Sequence, residues 1–307
     1  MKVSTNLFFD RATNQLGTVQ SSLSKTQEQL STGKQITKPS DAPDKASVVT
    51  RLESELARQK SYQDALSAVE IKLTSQETAL RNVSDVMARI KELTLQAANN
   101  TTSVADRQSI AQEVASLRDQ VLSLANSQDS SGSYLFAGSR VNQPAFGKDS
   151  QGQMNYLGDQ TRIQVAVGDN RRMNVNRPGS EAFTRVVRDQ GNGEKVGVGF
   201  FQALDDLVGA IQSSDKNNMQ RGLAEVDSLS LDVSAATARV GSDLNVVDSQ
   251  KNVLDEVTLR LKSTMSAVQD LDYTEAITQM NKDQLALEAA QSSFAKISKL
   301  SLFNYLN

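Results

Sequence analysis

Cysteine, histidine and tryptophan are absent from the sequence, and aromatic residues make up only 5% of it. Each absence closes off a class of chemistry. Without thiols or imidazoles there is no zinc finger, no disulfide framework, no thiol nucleophile and no histidine-based triad or general base. An enzyme built from this chain would have to work with carboxylates, lysine, tyrosine, serine or a bound cofactor. Missing cysteine leaves the compartment open, because secretion without disulfides and a reducing cytosol both fit. An excess of positive charge is missing too: 33 basic residues stand against 36 acidic ones, a net charge of -3. Nucleic acid is not expected as a partner, since phosphate binding needs a clustered basic surface. The longest apolar runs fall far short of the roughly 20 residues that cross a bilayer, so no membrane span is expected. The first ten residues, Met1 to Asp10, lack the apolar core of a cleaved signal peptide, so export would use another route. Hydrophobic residues amount to 38% of the 307, against roughly 45–50% on a similar count in a compact globular domain.

Glycine and proline are scarce in a patterned way. Fourteen of the 16 glycines lie between Gly132 and Gly241. There is no glycine from Lys34 to Ser131, no proline from Asp44 to Gln143, and neither from Ser242 to Asn307. These two residues are the strongest breakers of regular structure, so the chain reads as two helix-permissive arms around a glycine-rich centre.

The arms carry a repeat of 3.5 residues. Tyr62, Leu66, Val69, Leu73, Gln76, Leu80, Val83, Met87 and Ile90 step by four and three, as do Ile110, Val114, Leu117, Val121 and Leu124. Phe9, Ala12, Leu16, Val19, Leu23, Thr26 and Leu30 do the same near the start, and a longer run extends from Met219 through Val240, Val247, Leu254 and Leu261 to Val268. A sustained repeat of this kind marks coiled-coil packing. The seams are narrow and diluted with Ser, Thr, Gln and Lys, and helices of that kind are weak alone, because most helical stability comes from burying the apolar face. Ser40-Asp41-Ala42-Pro43 offers a cap and a proline at the first helical position, and Ser103 with Asp106 resembles a capping box. Helices are expected at about 5–31, 43–98, 104–129, 200–212, 216–268 and 273–303. At 1.5 Å per residue the second would run for roughly 80 Å, the length of a rod.

The period changes in the centre. Ile163, Val165 and Val167 alternate with polar residues, Gly168-Asp169-Asn170 makes a turn, and Met173 and Val175 alternate again, a hairpin pattern. A second turn at Lys148–Gly152 precedes Met154–Leu157. The expected fold is mainly α: an elongated, coiled-coil-like helical bundle made from both chain ends, with a small β-rich domain inserted at 133–198. That gives three domains: 1–42 with 270–307, 43–132 with 199–269, and 133–198.

Sites for chemistry are weak. Asp205 and Asp206 are helix neighbours about 100° apart and read as a solvated face. Gly191-Asn192-Gly193 and Gly197-Val198-Gly199 lack the strand-to-helix setting of a phosphate loop and read as flexible loops. Arg162, Arg171, Arg172, Arg177, Arg185 and Arg188 read as a solvated hairpin face, with an anionic partner as the alternative. No catalytic, cofactor-binding or metal-binding residue is assigned. The chain ends stand out instead. Phe294, Ile297, Leu300, Leu302, Phe303 and Leu306 crowd the last residues, and Phe8 and Phe9 sit at the other end, where chains usually fray. Two thin helices cannot cover each other all round, so these groups are read as surfaces that pack on other subunits.

Several phrases, in order, resemble the flagellin superfamily. Lys2-Val3-Ser4-Thr5 is similar to the start of its hook-associated proteins, and Ser31-Thr32-Gly33-Lys34 with Pro39–Pro43 and Ala46-Ser47 resembles its N-terminal block. Ala98–Thr101, Asp106-Arg107, Leu117–Gln120, Leu124–Asn126, Arg239–Asn245 and Leu300–Phe303 follow. Gly132-Ser133-Tyr134-Leu135-Phe136-Ala137-Gly138, and an ending of Phe303–Asn307 instead of Leu-Leu-Arg, resemble the hook–filament junction proteins more than filament subunits.

The resemblance implies an extracellular structural adaptor of the bacterial flagellum and no enzyme. It would be exported unfolded by the type III apparatus without a cleaved signal, and would assemble as a ring of its own copies between the hook-side junction protein and flagellin. Phe9, Leu16, Leu23, Leu30, Leu287, Phe294, Ile297, Leu302 and Phe303 are the expected subunit-packing residues of the terminal helices, with Leu16, Leu23 and Leu30 set against Leu287, Phe294 and Ile297. An export chaperone would take the C-terminal helix through Leu285, Leu287, Phe294, Ile297 and Leu300. Gly33 would let the chain turn between the first two helices. The alternatives are flagellin itself, an enzyme with its site in the β domain, and a signalling coiled coil. The last of these lacks a membrane span and leaves the insert unexplained.

Overall fold

The computed structural model describes residues 2–149, 152–189 and 195–303, and the side chains of these except 2–6, 8, 189 and 297–303. Six α-helices run in chain order among the described residues: α1 (Lys2–Thr32), α2 (Pro43–Ala98), α3 (Val104–Ala125), α4 (Phe200–Gln212), α5 (Lys216–Gln269) and α6 (Tyr273–Phe303). Between α3 and α4 lie six short strands: β1 (Phe146–Lys148), β2 (Met154–Tyr156), β3 (Gln164–Ala166), β4 (Arg172–Asn174), β5 (Arg185–Asp189) and β6 (Lys195–Gly199). They pair as three separate antiparallel hairpins, β1–β2, β3–β4 and β5–β6. The mainly helical bundle with a small β insert is what the periodicities require.

Local chemistry sets the ends of the helices. Gly33, at a φ of 68°, stops α1 in the left-handed conformation, and its N–H returns to the Gln29 carbonyl at 2.8 Å. Proline opens α2. Ser103 caps α3 by accepting from the Asp106 N–H at 3.1 Å and donating to the Asp106 carboxylate at 2.7 Å. Arg107, almost fully buried, closes the other end of α2 from a distance: its Nε donates to the Ala97 carbonyl at 2.9 Å and its Nη2 to that of Asn99 at 3.0 Å. A cation suits a helix C-terminus. α3 stops four residues short of the expected 129: Asn126 is its C-cap, with its N–H still on the Leu122 carbonyl, and its side-chain amide bonds both main-chain groups of Phe146. Asp272 caps α6 through the Thr274 and Glu275 N–H groups.

The chain divides into two compact units, residues 59–255 and residues 1–58 with 256–307. In the first, α2 and α5 run antiparallel, tied by Gln63 to Asp255, Lys251 to Glu70 and Lys91 to Asp227. Leu66, Val69, Leu73, Gln76, Leu80, Val83, Met87 and Ile90 are all buried, and so are Met219, Val226, Val233, Val240, Val247 and Leu254 on α5. α3, α4 and the hairpins complete one apolar cluster with them. Fully burying each Leu-sized side chain contributes about 1.5–3 kcal/mol.

The rings concentrate where the insert meets the helices. Phe136, Phe146, Phe183, Phe200 and Phe201 stack edge to face at centroid distances of 5.1–5.6 Å. Buried amides fasten the strands to the helices. Gln76 Nε2 donates to the Leu135 carbonyl at 2.6 Å and to that of Arg177 at 3.1 Å, and Gln250 Nε2 donates to that of Val167 at 3.0 Å. The Gly132–Gly138 phrase is this junction: Leu135, Phe136 and Ala137 are buried, while Gly138 takes a φ of 70° where a Cβ would strike the Asp159 main chain.

Three expectations change. Gly197-Val198-Gly199 is strand β6, with Val198 opposite Val186, and not a loop. Gly191-Asn192-Gly193 lies outside the described residues. Asp205 and Asp206 are more than a solvated face: Asp205, still exposed, pairs with Arg118 at 2.7 Å, and the half-buried Asp206 pairs with Arg188 at 2.6 Å. The 100° between them directs each to its own arginine. Half of the arginine cluster is engaged internally as well. Arg188 also grips Glu225 with two bonds of 2.8 Å, and Arg162 and Arg177 share Glu181. The Glu225 hydrogen bonds raise the Arg188 pKa above its usual value.

Two predictions follow from this geometry. Burial pushes the Tyr156 phenol, which donates to the Phe136 and Asp159 carbonyls, up to about 12. Between pH 10 and 12 the unfolded chain therefore ionises this group while the folded chain does not, and stability falls as pH rises through that window. Tyr156→Phe removes this part of the alkaline loss and costs about 1 kcal/mol at neutral pH. Phenolate absorbance and thermal melts measure both effects. The second concerns the helix connections. Lys34 sits opposite Asp270, flanked by Gln35 N–H to Gln269 carbonyl (2.7 Å) and Leu271 N–H to Gly33 carbonyl (3.0 Å). Such a pair places its Cα atoms about 4.5 Å apart, within disulfide reach. Lys34→Cys with Asp270→Cys is expected to oxidise to one intramolecular disulfide. Two thiols that stay free under mild oxidant would show that the connections are not paired.

Candidate assembly interface

The unit formed by residues 1–58 and 256–307 is constructed differently from the other. Among its described residues the only buried hydrophobic side chains are Val49 and Ala276. Yet α1 and α6 pack closely along one another, antiparallel: Phe9 meets Phe294 edge to face, with centroids 5.5 Å apart and planes at 83°, while Ser22 Oγ donates to Asp283 Oδ2 at 2.7 Å. Such a ring pair is worth about 0.5–1.5 kcal/mol beyond its burial. Against it stands roughly 1–2 kcal/mol of backbone entropy for every residue ordered.

The expected packing residues fall on this unit. Phe9, Leu16, Leu23 and Leu30 lie along α1 and Leu287 and Phe294 along α6, all half-buried, and Leu285 is 67% exposed. Ile297, Leu300, Leu302 and Phe303 belong to α6, but their side chains lie outside the described residues. The register that joins 9 to 294 and 22 to 283 carries Leu30 toward Tyr273, away from Leu287 and Phe294. On α5 the repeat continues through Leu261, Met265 and Val268, which are half-buried where Leu254 and Val247 are closed over. Leu7, Leu259, Tyr273 and Ile277 are further apolar groups about half or more exposed. Sequence reasoning missed them because each lies off the seam it followed.

Gly33 combines two constraints. Its positive φ excludes most side chains, and an added Cβ would come within 2.8 Å of the Tyr273 hydroxyl. Asp41 gathers the connection before α2, taking Lys25 Nζ at 3.0 Å and the Lys38 N–H at 3.1 Å. The Lys25 bond, with help from Lys38 and Thr37, holds its carboxyl below the usual range. Among the described residues no group of three or more acidic side chains could hold a metal, and no helix is long and apolar enough to cross a membrane.

Comparison with known proteins matches these features. Residues 3–141 fit the model of the bacterial flagellin N-terminal helical region and residues 223–306 that of the C-terminal helical region, leaving the hairpins and α4 outside both. The chain is 28% identical to flagellar hook-associated protein 3 of Escherichia coli strain K12 and 27% identical to that of Salmonella typhimurium, in each case over 99% of both chains. Flagellins match at lower identity. Among solved structures, a flagellar hook-associated protein from Vibrio parahaemolyticus superposes with a TM-score of 0.66 at 25% identity, over 75% of this chain and all of that one. The chain belongs to the flagellin superfamily, in its hook-associated protein 3 branch.

Proposed function

We propose that the chain is the adaptor between a hook-side junction protein and the flagellin filament, exported unfolded and ordered as a ring of its copies assembles outside the cell. That it is a structural component of the bacterial flagellum, working with other flagellar components, follows from its family. The finer reading is carried by one observation: α1 and α6 hold a continuous seam with almost no core beneath it. A seam left half-exposed along two paired helices is an interface awaiting neighbours, and its ordering is coupled to binding them. Phe9, Leu16, Leu23, Leu30, Leu287 and Phe294 supply that surface in our reading, with Ile297, Leu302 and Phe303 beyond them. Leu285, Leu287, Phe294, Ile297 and Leu300 would serve the export chaperone before assembly covers them. The division into 1–42 with 270–307, 43–132 with 199–269, and 133–198 then separates assembly, frame and insert. The role proposed is structural, without catalysis.

Hydrogen exchange on the purified monomer tests the ordering step. Residues 2–32 and 273–303 are expected to exchange about a hundredfold or more faster than residues 66–90. Equal protection would refute it. Removal of residues 290–307 is expected to leave the melting of the 59–255 unit unchanged and to abolish filament growth in cells. Filaments grown on the shortened chain would refute the role of the C-terminal helix.

A further inference from the structure

The seam between α1 and α6 is organised around a buried charge. On α6, Ala276, Met280, Asp283, Leu287, Ala290 and Phe294 step by four and three, and these are the described positions of that helix turned away from solvent. Asp283 therefore stands where a heptad seam places an apolar residue, and at 8% exposed it is, with Ala276, the most enclosed of the six. Its carboxylate takes Ser22 Oγ at 2.7 Å and Gln279 Nε2 at 2.8 Å, both neutral donors. No lysine or arginine forms an ion pair with it among the described residues: Lys25, on the facing helix, is engaged by Asp41, and the adjacent Lys282 is exposed. The most enclosed position of the α1 seam is Thr26, again polar, with its hydroxyl turned back to the Ser22 carbonyl. Each seam thus places a polar residue among its most enclosed positions.

A buried carboxylate without a counter-charge is costly, and neutral hydrogen bonds offset only part of the desolvation. Replacing buried ionic groups by packed apolar ones is commonly neutral or stabilising, and polar groups at coiled-coil seam positions lower stability. We propose that Asp283 is a built-in weakness of the closed α1–α6 pair, one that makes the pair open readily in the free chain. The inference rests on the order-on-assembly reading. It adds that the looseness of the terminal helices is set at one residue and is not spread evenly over their dilute seams.

The test uses the full-length monomer, the variants Asp283→Leu and Asp283→Asn, and hydrogen exchange, with residues 66–90 as the internal reference. Asp283→Leu is expected to slow exchange in both 2–32 and 273–303 at least tenfold, Asp283→Asn to fall between it and the native chain, and 66–90 to stay unchanged. Terminal protection in Asp283→Leu at or below the native level, with 66–90 intact, overturns the proposal. If Asp283→Leu also loses protection across 66–90, Asp283→Asn decides: slower terminal exchange than native supports the proposal, and the same or faster exchange overturns it. Native termini already as protected as 66–90 would instead overturn the order-on-assembly reading.

Discussion

The need of a helical seam to be covered governs this molecule. A stripe of apolar residues every three and four positions is a promise of burial, and the helix that carries it is stable only when the promise is kept. Between Leu66 and Ile90 on α2, and between Met219 and Leu254 on α5, α3, α4 and three hairpins keep it, and the seam residues are closed to water. The same repeat continues through Leu261, Met265 and Val268 and recurs along α1, where it stays half-exposed. The spacing is alike in both units. What differs is how many elements the chain itself supplies to lie over the stripe.

The insert explains how the covered unit is finished. A two-stranded hairpin is marginal by itself, and none of the three pairs with another. Each gains its stability from the helices instead. Gln76 and Gln250 occupy seam positions as fully buried amides that hold the Leu135, Arg177 and Val167 carbonyls, so polar residues within an apolar stripe are satisfied by strands. Arg188, on β5, closes on Asp206 of α4 and Glu225 of α5 together. Pairs enclosed to this degree matter less as a source of stability than as a constraint, because removing one partner leaves the other charge stranded. They fix which face of the hairpin meets which helix.

Much of this was legible in the sequence, and the exceptions share a cause. Helix bounds followed from glycine and proline spacing and from caps that act within four residues, one hairpin followed from alternation around a turn, and a second was signalled by its turn alone. β5–β6 was hidden because Gly197 and Gly199 break the alternation that Val186, Val196 and Val198 would otherwise show. The partners of Asp205 and Asp206 were hidden because their arginines lie 87 and 18 residues away. At the candidate interface, Phe9 and Phe294 could be anticipated from position and spacing. Asp283 could not, because a charged residue inside a repeat reads as an interruption of the seam, and only the structure shows the seam closing over it.

The two units divide the demands on an adaptor. A part that must survive alone before assembly needs a core that satisfies itself, and residues 59–255 have one. A part that must pass through export loosely folded and then bind needs the opposite: enough pattern to be ordered by neighbours, and too little core to be ordered without them. Hydrophobic content does not separate the two, since each carries about the 38% of the whole chain; what separates them is how much of it the chain itself covers. Strengthening the terminal seam is therefore not the same as improving the protein. Each apolar group added there shifts free energy from assembly to the free chain, where it would oppose the unfolded export proposed above. The ordering of α1 and α6 can report that neighbours are present only while the free pair stays weak, so selection for assembly would retain the polar groups that a purely structural helix pair would lose.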